Sequence, residues 1–244
     1  MAWYDTHHRV LPWRRTPHSR RPSPETASGA PLDIDQQQLI YWVWVCEVMS
    51  QQTQLERVKD YWRRWTATWP TVGDLAAADE EAVNQMWAGL GYYRRARFLL
   101  QGARHVRDAL GGILPTTSAE LQAIPGVGAY TGNAIASIAC GEPVAVMDAN
   151  VVRVVSRVFT VGGDPSQRAV LDRLNGAAAA LLDRDRPGDF NQVHFVVVNK
   201  FNYYFAANSK RLFARLRREL PALAIWRATN KLYINFSCGI KSTP

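Results

Sequence analysis

Between Gln36 and Gln192 the chain repeats one pattern: apolar side chains at helical spacing, a Pro or Gly break, then another such stretch. Segments 36–50, 54–68, 79–87, 92–110, 118–123, 129–140, 149–159 and 166–183 fit it, and Trp69-Pro70, Gly89-Leu90-Gly91, Gly111-Gly112 and Pro125-Gly126 separate them. Strand alternation is hard to find. Successive helices joined by short loops pack on their chain neighbours, so the pattern predicts an all-α domain. With 244 residues, 47% of them apolar, a sizeable core can be buried. Residues 15–35 are rich in Pro, Arg and Ser without periodicity and read as an exposed, mobile loop. From Val193 the composition shifts toward Asn, Lys and Phe; 193–198 and 231–236 look strand-like, whereas 211–219 suits a basic helix. The expected organisation is an N-terminal segment with a loop (1–35), a helical domain (36–192) and a basic tail (193–244).

Net charge is +8, but residues 1–192 hold 20 Lys and Arg against 20 Asp and Glu, while 193–244 hold 9 against 1. The bulk charge therefore says little about nucleic acid binding by the main body, which must rest on local constellations. The longest apolar stretch, Leu39 to Met49, is interrupted by Glu47 and too short to span a bilayer. The start, Met-Ala-Trp-Tyr-Asp, lacks the charged-then-apolar pattern of a signal peptide. Cys46, Cys140 and Cys238 are widely spaced, which favours a reducing, intracellular compartment.

The strongest local signal is Leu121-Gln-Ala-Ile-Pro-Gly126-Val127-Gly128-Ala-Tyr130-Thr131-Gly-Asn-Ala134-Ile135. A short helix, a Pro-Gly-x-Gly turn and an Ala-rich helix make a helix-hairpin-helix. Two glycines let the backbone approach a phosphate, and the second helix opens with free amides and the positive end of its dipole. Such contacts hold DNA in register without reading its sequence. An ordinary tight turn between helices is the alternative, and a lone Gly-x-Gly would favour it.

With the hairpin, six further stretches stand in the order and spacing of one family. They are Trp3-Tyr4-Asp5, Leu11-Pro12-Trp13-Arg14, Cys46 to Gln54, Trp87 to Tyr93, Met147-Asp148-Ala149-Asn150-Val151 and Arg186 to Gln192. Over roughly four-fifths of its length the chain thus resembles the MutY-type adenine DNA glycosylases, relatives of endonuclease III in the helix-hairpin-helix superfamily. That resemblance implies a six-helix barrel domain joined to a second helical domain, incomplete here. It also implies monofunctional hydrolysis of the bond between sugar and adenine, opposite 8-oxoguanine or guanine, in base excision repair.

Residue roles follow from the same resemblance. Glu47 matches the glutamate that protonates the leaving base; its Trp- and Val-rich helix would raise its pKa, although a structural buried glutamate is the other reading. Asp148 matches the carboxylate that stabilises the oxocarbenium-like sugar, and its position also suits a simple N-cap. Asn150 matches a residue that orients the site. Tyr130 stands where bifunctional relatives carry a lysine that attacks the sugar, so no Schiff base can form there. Gln51 and Gln52 match a pair used near the orphan base, and Tyr92 one that wedges beside the oxidised guanine. Arg14, Gly126, Val127, Gly128 and Thr131 are the remaining expected DNA contacts. Arg94, Arg95 and Arg97 are expected either at phosphates or on a solvated helix face.

Departures from the family pattern are Cys46, Ser50, Ala129 in place of a basic residue, Gly132-Asn133 and Ala149. Ala129 should weaken DNA binding modestly. After Gln192 the family continues into a Cys-x6-Cys-x2-Cys-x5-Cys loop that binds a 4Fe-4S cluster, and then a Nudix-like domain. Beyond residue 192 only Cys238 is present, so the expectation is no cofactor or metal bound by this chain and a truncated or replaced C-terminal part. The expected partner is double-stranded DNA with adenine opposite 8-oxoguanine or guanine, bound by a monomer without membrane association, in the nucleus or mitochondrion. A non-catalytic product that folds poorly or binds DNA weakly is the alternative of a different class.

Overall fold

The computed structural model describes residues 4, 5, 8–14 and 35–192. Within them lie helices α1 (Gln36–Ser50), α2 (Leu55–Thr68), α3 (Val72–Ala77), α4 (Glu80–Trp87), α5 (Arg94–Ala109), α6 (Ser118–Leu121), α7 (Ala129–Cys140), α8 (Ala149–Val158) and α9 (Arg168–Leu181). Residues 187–192 are also helical, and no strand occurs among the described residues. The all-α expectation therefore holds. No described helix is long and apolar enough to cross a membrane.

Helix α1 is the axis of the larger core. Ile40, Tyr41, Val43, Trp44, Val45, Cys46, Val48 and Met49 are all buried, which covers every face and leaves no polar stripe. Helix α2 shows the opposite design, burying Val58, Trp62 and Trp65 at one-turn intervals and leaving its other face exposed or only partly buried. Indole pairs Trp13–Trp62, Trp42–Trp62 and Trp65–Trp87, with ring centroids 5.2–5.6 Å apart, fill the space between these elements. Helix α5 crosses α1 at Gly102, where a Cβ would lie 2.7 Å from the Trp44 ring; only the missing side chain permits that approach.

Helix α3 was not expected from the spacing. Its six residues are too few for a periodic signal, yet Thr71 and Asp74 cap it reciprocally, with Asp74 N donating to Thr71 Oγ1 and Thr71 N to Asp74 Oδ2. Helix α5 begins at Arg94 rather than at residue 92, because Tyr92 has φ +48 and cannot continue a right-handed helix.

A second, smaller apolar cluster joins α8 and α9 through Val151, Val155, Val170, Leu174 and Ala178. Between the two clusters, residues 141–148 run without regular secondary structure and carry Asp148. Four hydrogen bonds fix this segment: Ser118 N donates to Glu142, Asn133 Nδ2 to Ala145 O, Asn191 Nδ2 to Val144 O, and Val146 N to Asn191 Oδ1. Residues 8–14 pack onto the larger core with Leu11 and Trp13 buried. Arg186 binds Asp5 and Asp189 at 2.5 and 2.7 Å, tying the N-terminal segment to helix 187–192. The expected basic tail (193–244) and, but for its last residue Asp35, the expected mobile loop (15–35) lie outside the described residues.

Candidate active site

Helix α7 packs extensively on α1, and it is set there by the hairpin that precedes it. Gly126 takes φ +84, and a Cβ there would lie 2.5 Å from Phe98 Cβ, so glycine is needed for both conformation and space. Gly128 is the N-cap residue of α7, and a Cβ on it would meet nothing within 4 Å. The turn is thus closed on its protein side and open on its outer side, with the N-terminal end of α7 beside the opening. Val127 and Thr131 are buried, so neither presents its side chain to a phosphate, and the Val127 amide is given to Ile124 O at 3.0 Å within the turn. Ala129 is exposed where the family pattern has a basic residue.

Gly132 and Asn133, departures in the sequence, have a joint structural reason. A Cβ at Gly132 would lie 2.8 Å from Gln122 Cγ, so only glycine lets α6 come this close. In that approach Ser118 Oγ donates to Asn133 Oδ1 at 2.5 Å, while the amide nitrogen of Asn133 holds Ala145 O. The hairpin and the segment leading to Asp148 are therefore one hydrogen-bonded unit.

Tyr130, in the first turn of α7, points its hydroxyl at α1 and donates to Glu47 Oε2 at 3.1 Å. Both side chains line a cleft of about 640 Å³ together with Arg14, Gln51, Gln52, Asp148 and Asn150. Seven of the expected site residues thus come together from α1, the turn after it, α7, the start of α8 and the N-terminal segment. Tyr92, Gly126, Val127, Gly128 and Thr131 do not line the cleft.

Burial pushes the Glu47 carboxyl up to about 7; Asp148 adds to the rise, while the Tyr130 hydroxyl and Arg14 oppose it. Burial, reinforced by the Glu47 and Asp148 carboxylates, holds the Tyr130 phenol far above its usual range, so it stays protonated and remains a donor. Asp148 does cap α8, its Oδ1 accepting from Val151 N at 2.6 Å. Its Oδ2 accepts from Asn150 Nδ2 at 3.1 Å. Both oxygens are held in place, and the carboxylate faces the cleft in addition to its capping role.

Opposite Glu47, Arg14 Nε donates to Gln192 Oε1 at 2.5 Å, and Gln192 Nε2 donates to Gly188 O. Gln192, which the sequence offers only as the end of a matching stretch, is a wall of the cleft. The three arginines expected at phosphates or on a solvated face separate. Arg94 lies over the Phe98 ring, Arg97 pairs with Glu80 at 3.6 Å, and Arg95 is buried, which rules out a phosphate contact by its side chain. Nothing in the spacing of three nearby arginines distinguishes the buried one.

Cys46 and Cys140 are free thiols on different helices and do not make the four-thiolate set that a 4Fe-4S cluster requires. Among the described residues, no group of three or more His, Cys, Asp or Glu side chains is placed to hold a metal ion.

Comparison with known proteins agrees with this geometry. A family model described as HhH-GPD superfamily base excision DNA repair protein matches residues 45–179. The chain is 49% identical over 193 residues to the adenine DNA glycosylase of Homo sapiens, covering 79% of this chain and 33% of that protein. Against the adenine DNA glycosylase of Arabidopsis thaliana it is 41% identical over 211 residues, covering 79% and 31%. The chain thus spans about a third of the length of these curated relatives. Among solved structures, a thermostable thymine-DNA glycosylase shares the fold with a TM-score of 0.65 at 24% identity, over 81% of each chain. Endonuclease III trapped in a covalent DNA intermediate superposes with a TM-score of 0.54 at 25% identity, over 62% of this chain and 70% of the other. Hairpin, cleft and similarity converge, and the chain belongs to the HhH-GPD superfamily of base excision DNA repair proteins.

Proposed function

We propose that this chain is a monofunctional DNA glycosylase that hydrolyses the bond between adenine and its deoxyribose, with adenine opposite 8-oxoguanine or guanine in duplex DNA. The observation that carries the reading is the contact of Tyr130 with Glu47 in a cleft that also holds Asp148. One carboxyl there is biased toward its protonated form, a second is fixed by hydrogen bonds, and among the described residues no lysine lines the cleft. The identity of about half to a vertebrate adenine DNA glycosylase supports adenine as the base. The open side of the hairpin supports a duplex as the partner, bound through phosphates rather than base edges.

In this reading the target nucleotide leaves the stack and enters the cleft. Glu47 gives its proton to a ring nitrogen of adenine, the glycosidic electron pair goes to the base, and the sugar becomes oxocarbenium-like. Asp148, oriented by Asn150 and the Val151 amide, faces that developing positive charge. Water then adds its oxygen to the sugar carbon and its proton restores Glu47. Free adenine and an abasic site result. Tyr130 orients the Glu47 carboxyl and has no nucleophilic nitrogen to attack the sugar, so the strand stays intact. The side chains of this chain carry the reaction, in the nucleus or mitochondrion where such DNA resides.

Product analysis tests the reading. A duplex with adenine opposite 8-oxoguanine should yield free adenine and a strand that breaks only after alkali, with no adduct on borohydride treatment. A trapped covalent adduct would instead mean a glycosylase-lyase. No release by the folded chain would mean that the residues are inherited without the activity.

A further inference from the structure

Two turns meet at Arg95: residues 51–54 after α1, where Gln51, Gln52 and Thr53 line the cleft, and residues 88–93 before α5, which do not. Each exposes one side chain on a backbone with positive φ, Gln52 at +54 and Tyr92 at +48. A residue with a side chain is strained in that region and stays there only when its surroundings enforce it. The surroundings converge on one buried cation. From α5, Arg95 Nη1 donates to Val48 O at 3.0 Å, Met49 O at 3.1 Å and Gln51 O at 2.6 Å. Its Nη2 donates to Leu90 O and Gly91 O, both at 3.1 Å. The guanidinium lies 5.2 Å from the Trp87 ring centroid and 5.6 Å from that of Tyr92.

Gln51 and Gly91 are the residues immediately before the two exposed side chains, so Arg95 grips the carbonyl preceding each. Val48 and Met49 belong to the last turn of α1, whose carbonyls have no helical partner, and this fixes the fork to the same helix that carries Glu47. A planar guanidinium can serve five carbonyls in two directions; an ammonium cannot. Tyr61 adds an outer tie to the second turn, its hydroxyl donating to Ala88 O at 2.6 Å.

We propose that Arg95 is a positioning residue that joins the Gln52 and Tyr92 turns into one rigid, two-pronged wedge, so that both side chains enter a duplex together when the target base leaves it. The inference rests on reading the cleft as a base-excision site. It makes extrusion depend on a residue that touches neither DNA nor the reacting atoms, at a fixed distance from the acid.

The test measures extrusion without chemistry. In a Glu47→Gln background, the full chain is added to saturation to a duplex with 2-aminopurine opposite 8-oxoguanine, and the fluorescence rise on unstacking is read. With Arg95 in place the rise should be several-fold; Arg95→Lys, at unchanged circular dichroism, should leave less than about a third of it. An equal rise in the lysine variant overturns the proposal, and so does the absence of any rise with Arg95 present. Should Arg95→Lys fail to fold, Tyr61→Phe, which frees the same turn at an exposed hydroxyl, should still lower the rise. A full rise in Tyr61→Phe would then assign Arg95 to the core alone and overturn the wedge. Failure of the excision reading is separate: the Glu47 chain would unstack 2-aminopurine yet release no adenine from the natural mispair.

Discussion

Glu47 shows how a functional group departs from what stability alone would choose. Its carboxyl titrates near 7 in the folded chain against 4.5 for a free glutamate, so the folded state holds the proton more tightly. Stability therefore falls as pH rises from about 4.5 to about 7, where the unfolded chain has already ionised, and the loss is complete above that. Glu47→Gln removes the ionisation, and its amide oxygen can still accept from Tyr130. Thermal melts should show the variant a few degrees more stable than the parent near pH 8, with the gap closing near pH 4. A parent that instead gains stability relative to the variant as pH rises from about 4 to about 8 would mean that the carboxylate form is the favoured one. Glu47, Tyr130, Asp148 and Asn150 could be singled out in the sequence because each lies in a short stretch that resembles the glycosylase family. Arg95 was not, because its partners are carbonyls of residues up to 47 positions away, and no spacing rule describes a contact to backbone. Gly132 and Asn133 read as departures for a related reason: each makes sense only beside Ser118 and Gln122.

At the scale of elements, the cleft depends on how closely α7 is approached from both sides. On the far side from α6, helix 187–192 comes so near that a Cβ at Gly188 would lie 2.6 Å from Ser137 O and 2.8 Å from Ile138 Cα. Backbone atoms cannot yield as a side-chain end can. Gly188→Ala should cost about 1–3 kcal/mol and swing Gln192 away from Arg14, since Gln192 Nε2 is fixed to Gly188 O. Chemical denaturation would give the stability loss, and single-turnover excision should slow at the same time. Normal excision by Gly188→Ala would remove Gln192 from the wall that shapes the site. The boundaries of the long helices were readable from periodicity. Helix α3 and the delayed start of α5 were not, because a capping box on six residues and a positive φ at Tyr92 override the local apolar pattern.

Across the whole molecule the two apolar clusters differ greatly in size. The larger gathers α1 to α7 around α1, whereas the smaller rests on five buried side chains of α8 and α9. Asp148 stands at their junction and Glu47 belongs to the larger one, so the carboxyl pair is aligned only while both clusters are docked. Small clusters open first, and amides of α8 and α9 should exchange with solvent well before those of α1 and α5. Leu174→Ala, at a fully buried position of the smaller cluster, should cost about 2–5 kcal/mol and accelerate that exchange selectively. Uniform exchange across all helices would mean a single cooperative unit instead.

The central claim is that Glu47 delivers a proton to adenine, and single-turnover release of adenine from a duplex with the adenine–8-oxoguanine pair tests it most directly. Parent and Glu47→Gln chains would be compared from about pH 5.5 to about pH 9, spanning the raised carboxyl pKa. The parent rate should decline as pH rises through about 7, and the glutamine variant should be slower by roughly 10²–10⁴ with no such decline. Release at the parent rate by a folded Glu47→Gln chain would contradict the account and move the acid elsewhere.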